Sequence, residues 1–178
     1  MNTSHPNSDG TAAAIEVARE FFALAKEEDS PKFTNMKLMK LLYRVQCLSL
    51  YDRGQPLFAD TVKAWEDGPV VPAVFHLNKG VKVISYGHVL LGQPSAGLSS
   101  SDKELIHAVW TRYKHLTGDQ LSDATHQEEA YLIARSRANK QHPSPIIRVE
   151  DMRSEVERDR AAQAALFDAY VAGTKAGM

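Results

Sequence analysis

Cys47 and His126 carry the chemistry of a nucleophile and a general base, and neither stands in a pattern that uses it. A reactive cysteine needs its thiolate stabilised by a neighbouring cation, a paired histidine or a helix N-terminus. Cys47 sits beside Leu48 in an apolar run, where a free cysteine behaves as a small buried hydrophobe. His126, in Ser122-Asp123-Ala124-Thr125-His126, has no paired nucleophile or acid motif. A structural hydrogen-bonding role against the Gly68-Pro69 turn or the Trp65 region suits it better. A hydrolase built on either residue has no substrate to point to. His76, His88, His107 and His115 lack the i,i+4 spacing and the carboxylates of a zinc site, so neither metal nor cofactor is expected. The expectation is a protein without catalytic residues, and the weight moves to binding.

The residues best placed for binding are charged. Lys37, Lys40 and Arg44 recur three and four apart, which puts them on one side of a helix whose other side carries Leu38, Leu41, Leu42, Val45 and Leu48. With Arg53 nearby, this basic stripe is expected to be a solvated face able to receive an acidic partner segment. A second candidate surface is the charged helix that begins at Glu150, represented by Glu155 and Arg158.

The helix that holds the basic stripe leads into a dense, non-repetitive motif. Asp52, Arg53 and Gly54 end it, Leu57 and Phe58 return to the core, and Val62, Ala64 and Trp65 lead to Gly68-Pro69-Val70-Val71-Pro72. Gly takes positive φ freely and Pro fixes φ at about −65° without a donor, so Gly68-Pro69 punctuates the chain between elements. Pro72 suits the first turn of a short helix through Ala73, Val74, Phe75 and Leu77, ending near Gly80. Trp65 and Trp110 read as core residues.

These residues carry a family resemblance. Lys37-Leu38 and Lys40-Leu41-Leu42-Tyr43, then Pro56-Leu57-Phe58, Ala64-Trp65 and Gly68-Pro69-Val70-Val71-Pro72, then Leu121-Ser122 and Thr125-His126, resemble the signature of the Panacea domain. The resemblance runs from about Ala12 to Ala134. Tyr131 is a departure, since the pattern places a Trp a few residues after the Thr-His pair, although an aromatic is kept. The resemblance implies an antitoxin of a bacterial toxin–antitoxin pair that binds and neutralises a cognate protein toxin. Its narrower form, to SocA-type adaptors, implies delivery of that toxin to ClpX in the ClpXP protease. Leu38, Leu41, Leu42, Tyr43, Trp65, Gly68, Pro69, Val70, Pro72, Ser122, Thr125 and His126 are then structural members of the family motif. Whether the chain self-associates is left open.

Composition narrows the classes further. The 178 residues suit one domain, and Lys plus Arg number 21 against 22 for Asp plus Glu. Near-neutral charge gives no general pull toward nucleic acid or anionic membrane. One cysteine excludes an intrachain disulfide and a multi-cysteine metal cluster. No apolar run is long enough to span a bilayer, and the first residues lack the features of a signal peptide. A cytoplasmic protein is expected. The alternative is a helical DNA-binding transcriptional regulator, motivated by a basic connector but lacking a clear helix-turn-helix signature.

Along the chain, residues 1–10 are expected to be a flexible N-terminus and 11–134 a mainly α-helical domain with a small β hairpin. Ala14, Val17, Phe21 and Leu24 mark a first helix with Glu16, Glu20 and Glu27 outside, broken at Ser30-Pro31, with Thr34 or Asn35 capping the next. The run Val81 to Leu91 reads as a strand, paired with Thr61 to Trp65. Ser101-Asp102-Lys103-Glu104 reads as a capping box for a helix closed by Gly118. A further helix holds Leu121 to His126, with Tyr131, Leu132 and Ile133 continuing the core. Residues 135–149 form a basic, partly extended connector, since Arg135 to Arg148 contains no Asp or Glu. Residues 150–178 form a C-terminal helix, packed on the domain or offered to a partner, with a late stripe of Ala162, Ala165, Leu166, Ala169 and Tyr170.

Overall fold

A computed structural model describes residues 12–30 and 32–158 of the chain, with side chains as far as Ser154. These residues are mainly α-helical, with seven α-helices and one two-stranded hairpin. In order they are α1 (Ala14–Glu27), α2 (Asn35–Arg53), β1 (Lys63–Trp65), β2 (Gly68–Val70), α3 (Pro72–Phe75), α4 (Ser100–Tyr113), α5 (Gly118–Thr125), α6 (Glu129–Ser136) and α7 (Val149–Arg158). The polar N-terminal segment, Pro31 and the stripe from Ala162 to Tyr170 lie outside the described residues.

Helix α2 is the axis of the fold. Of its 19 residues 14 are buried, because α1, α4, α5, α7 and β2 pack around it. A helix enclosed on every side loses the simple two-faced pattern of a surface helix. Thr34 caps its start by accepting from Lys37 N at 3.0 Å, and Gly54 ends it in the left-handed conformation at φ 67°. Gln46 then draws the exiting chain back: its Oε1 accepts from Leu57 N at 2.8 Å and Phe58 N at 3.2 Å, and its Nε2 donates to Phe58 O at 2.8 Å.

Two acids of α1 are not outside as expected. Glu16 and Glu20 are buried, because the loop before α4 folds over them. Ala96 N donates to Glu16 at 2.8 Å, Ser95 Oγ donates to Glu20 at 2.6 Å, and Arg19 pairs with Glu16. Helix α4 starts earlier than expected. Ser99, not Ser101, forms the capping box, because it lies three residues before Asp102 and exchanges hydrogen bonds with it. Gly118 opens α5 and does not close α4. A Cβ there would lie 2.8 Å from Thr34 Oγ1 and 2.9 Å from Lys37 N, so glycine lets the start of α5 meet the start of α2.

The strand expected over Val81 to Leu91 is absent. That segment makes a single antiparallel bridge, Val83 to Thr34, and then turns its apolar residues onto α1. Tyr86 packs on Phe22 and donates to Ala25 O at 2.9 Å, and Ile84 and Leu91 are buried. Strand β1 pairs instead with β2, in the register Lys63 to Val70, Ala64 to Pro69 and Trp65 to Gly68. The chain reverses at Glu66-Asp67, so Gly68-Pro69 lies inside a strand. The missing donor of Pro69 breaks nothing there, because Ala64 N turns the other way, to Pro145 O at 2.8 Å.

The connector lies along that other edge of β1. Ile147 N donates to Val62 O at 2.9 Å, which opposes Ile146 to Lys63. Helix α7 packs on α2 and α6, with Met152 buried. Its start is fixed by Asp151, whose carboxylate accepts from Arg148 N at 2.9 Å. Leu132, expected in the core, is exposed, because a new helix begins after His126 and turns that position outward.

Candidate functional site

The motif residues converge on the hairpin turn, where they bind backbone. Ser122 Oγ donates to Asp67 O at 2.8 Å, and Thr125 Oγ1 donates to Ser122 O at 2.8 Å. Tyr131 Oη donates to Trp65 O at 2.8 Å, with Glu66 O 3.2 Å away. Arg135 donates to Ala64 O at 3.1 Å. Lys40 Nζ donates to Asp67 O and, at 3.2 Å, to Pro69 O. Each carbonyl from Ala64 to Asp67, and that of Pro69, thus meets a side-chain donor from α2, α5 or α6.

His126 completes the clasp. Its Nδ1 lies 2.7 Å from Ser122 O and its Nε2 2.6 Å from Glu66 O. Carbonyl oxygens only accept, so both contacts are hydrogen bonds only when each ring nitrogen carries a proton. The Tyr131 ring stands edge-on to His126 with centroids 4.9 Å apart, so the aromatic at position 131 carries a hydroxyl contact as well as packing.

Gly68 is the centre of this arrangement. Its φ is 96°, and a Cβ would sit 2.6 Å from Lys40 Nζ and 2.9 Å from Thr125 Oγ1. The ammonium of Lys40 therefore occupies the space a side chain would take. Lys40 is fully buried, and burial lowers its pKa to about 8, against a smaller upward pull from Asp67. Leu38, Leu41, Leu42, Tyr43 and Val70 are core, while Pro72 opens α3 as its first residue. Trp110 is core, but Trp65 is only half-buried and packs edge-on against Phe75 with centroids 4.8 Å apart.

The basic stripe is not a solvated face. Lys37 is 4% exposed; its Nζ donates to Lys114 O at 2.5 Å, beyond the end of α4, and lies over the Trp110 ring. Arg44 pairs with Glu128, the residue preceding α6, and lies over Tyr113. Arg53 reaches Asp102 and Ser101 at the start of α4. These heads tie α2 to its neighbours, and the reason is the central place of the helix: long stems bury and their cations reach carbonyls and carboxylates between helices. The side chains of Glu155 and Arg158 lie outside the described residues.

Cys47 is buried, and among the described residues no three His, Cys, Asp or Glu gather as a metal site. His107 meets Glu20 at 3.3 Å, and His88 Nδ1 accepts from Leu91 N at 3.2 Å. No described helix is long and apolar enough to cross a membrane.

Sequence reasoning missed Gln46, although a lone amide between Val45 and Cys47 was a signal. It also missed the cleft on the outer edge of β1, a cavity of about 380 Å³ lined by Lys63, Arg137, His142, Ser144, Pro145, Ile146 and Arg148. Arg137 is fixed there by a two-pronged contact with Asp151 and by Ile146 O at 3.1 Å.

Residues 38–131 match the family model described as antitoxin SocA-like, Panacea domain. No curated protein and no solved structure matches the chain.

Proposed function

Because this chain belongs to the SocA-like, Panacea-domain antitoxin family, we propose that it binds and neutralises one cognate protein toxin, acting as a binding protein with no bond-making step of its own. The family gives the general antitoxin role and, with it, a protein toxin as partner. What supports a binding mechanism is the fate of the motif's polar side chains. Lys40, Ser122, Thr125 and His126 all hydrogen-bond to backbone carbonyls, so His126, the candidate general base, and its motif neighbours serve as a frame.

In the adaptor form of this reading the antitoxin holds its toxin against ClpXP. Holding substrate and protease together makes the second encounter intramolecular and raises its effective concentration, with no reacting group in the adaptor. The test is affinity capture of the tagged chain from its host, with the neighbouring open reading frame co-expressed and a proteolytically inactive ClpP present. Recovery of the neighbour's product with ClpX is the adaptor outcome, and recovery of the product alone is neutralisation by masking. Absence of a complex at micromolar concentration overturns the reading.

A further inference from the structure

We propose that the cleft between β1 and the connector is a docking site for an acidic, apolar-containing peptide segment of the protein partner. The inference rests on the reading of the chain as a toxin-binding protein, and its grounds lie in the cleft itself.

The backbone sets the first two lining residues. In the antiparallel bridge between Lys63 and Ile146 the hydrogen bonds run from Ala64 N to Pro145 O and from Ile147 N to Val62 O. That is the pair type in which opposed side chains stand closest on one face. Val62, Ala64 and Ile147 point to the core, so Lys63 and Ile146 both point outward. Ile146 is 51% exposed, an apolar floor beside a cation.

Concave placement distinguishes the cleft's cations, since exposed Lys26, Lys82 and Arg112 also form no salt bridge among the described residues but do not line this cavity. Arg137, His142 and Arg148 join Lys63 around a cavity of about 380 Å³. One carboxylate, Asp151, serves this group, and it is already taken by Arg137 and by the backbone N–H of Arg148. Lys63 and the Arg148 guanidinium form no salt bridge among the described residues. Elsewhere Lys37, Lys40, Arg44 and Arg53 all have carbonyl or carboxylate partners inside the fold. Among the described residues this leaves a concave site with two cations that form no salt bridge, Arg148 acting on Asp151 only as a lesser charge, a third cation held in place, and an apolar floor. Glutamate or aspartate with an aliphatic residue between them matches that pattern. A phosphate backbone matches it less well, since the chain carries a net charge of −1 and the cations are gathered in a pocket instead of spread along a stripe.

Position supports the same reading. The family match ends at residue 131, and of the cleft's lining only Lys63 falls within it. A frame common to the family and a recognition site outside the matched segment is the division of labour expected when each antitoxin meets its own toxin.

The probe is a short fluorescein-labelled peptide alternating Glu and Leu, titrated onto the full chain by fluorescence polarisation, with short duplex DNA as competitor. Saturable binding is expected to weaken about tenfold or more between about 50 and about 300 mM salt, and to vanish in the double variant K63E/R148E. Equal binding by that variant overturns the proposal, as does tighter binding of the duplex than of the peptide. A thermal midpoint unchanged from the parent shows that the variant is folded. The second arm uses the partner recovered by affinity capture. Loss of its binding in K63E/R148E, restored by an acid-to-lysine change in the partner, supports the cleft as its seat, and unchanged affinity overturns it. If the parent chain captures no partner but binds the peptide, the toxin-binding reading fails while the acidic specificity of the cleft stands.

Discussion

The two edges of the hairpin contrast sharply in how their polar groups are used. On the turn side the carbonyls of Trp65 to Asp67 and of Pro69 meet donors from Tyr131, His126, Ser122 and Lys40. On the connector side Lys63 and Arg148 line a cleft and form no salt bridge among the described residues. One strand thus separates a saturated region from an unsaturated one. Saturation means that a change is felt as lost stability, because a buried donor or acceptor left unpaired carries its full desolvation penalty. Unsaturation means that a change is felt as lost binding. The comparison predicts that substitutions on the two sides of β1 fall into separate classes.

The largest effect on the saturated side is expected from Gly68→Ala. Its positive φ and the 2.6 Å approach of Lys40 Nζ combine backbone strain with overpacking against an ammonium that is itself anchored. A loss of about 3 kcal/mol or more is expected in urea unfolding. A change below about 1 kcal/mol would show that the clasp yields easily and would erase the contrast.

Lys40 offers a pH test of the same region. With a folded pKa of about 8 against the ordinary 10.5, the unfolded chain binds more protons between those values. This group's contribution to stability is therefore flat below about pH 8, rises between about 8 and 10.5, and is flat again above. A shift of this size corresponds to about 3 kcal/mol over that window. Subtracting the stability curve of Lys40→Met from that of the parent isolates the effect. A difference that stays constant from pH 7 to pH 10 would place the ammonium in contact with water.

Much of this was legible in the sequence because local rules and tertiary packing agreed. A cap at Thr34 or Asn35, of which the structure uses Thr34, Gly54 as terminator and Pro72 at the start of a short helix each follow from a backbone requirement that no neighbour overrides. His126 was readable as a hydrogen-bonding residue near Trp65 because no partner for catalysis accompanied it. The failures share one physical cause, the enclosure of α2 and α1. Lys37, Lys40 and Arg44 have helical spacing that looks like a solvent face, and nothing local reveals that α4, α5 and the hairpin will cover them. Glu16 and Glu20 were misread for the same reason, since their cover comes from Ser95 and Ala96 far along the chain. The strand over Val81 to Leu91 failed because β propensity measures fit to a half-buried pleated surface, and α1 supplied a different surface. The cleft was hidden because its first wall, Lys63, is some eighty residues from its second.

A smaller effect separates the members of the clasp from one another. Tyr131→Phe keeps the ring against His126 and removes only the hydroxyl, with its bond to Trp65 O and its longer contact to Glu66 O, so about 1 kcal/mol is expected in thermal or urea unfolding. A change several times larger would mean that the hydroxyl holds the hairpin turn as a unit, with the contacts of His126 and Ser122 depending on it.

The smallest effect on stability is expected where the effect on binding is greatest. Lys63→Glu and Arg148→Glu alter side chains that project from the surface and form no salt bridge among the described residues, so each should change unfolding free energy by no more than about 0.5 kcal/mol. Any change would be felt first at Asp151, whose carboxyl is held below its usual range by hydrogen bonds from Arg137 and the Arg148 backbone despite burial, with Arg148's charge a lesser contribution. A glutamate at position 148 would keep the backbone donor, lose that attraction and add a repulsion between like charges. The Asp151 carboxyl should therefore titrate slightly higher, and the variant should lose a correspondingly small part of its stability at neutral pH, within about 0.5 kcal/mol. If instead either variant unfolds readily, the cations of the cleft are holding the connector to β1, and the two edges of the hairpin are scaffolding alike.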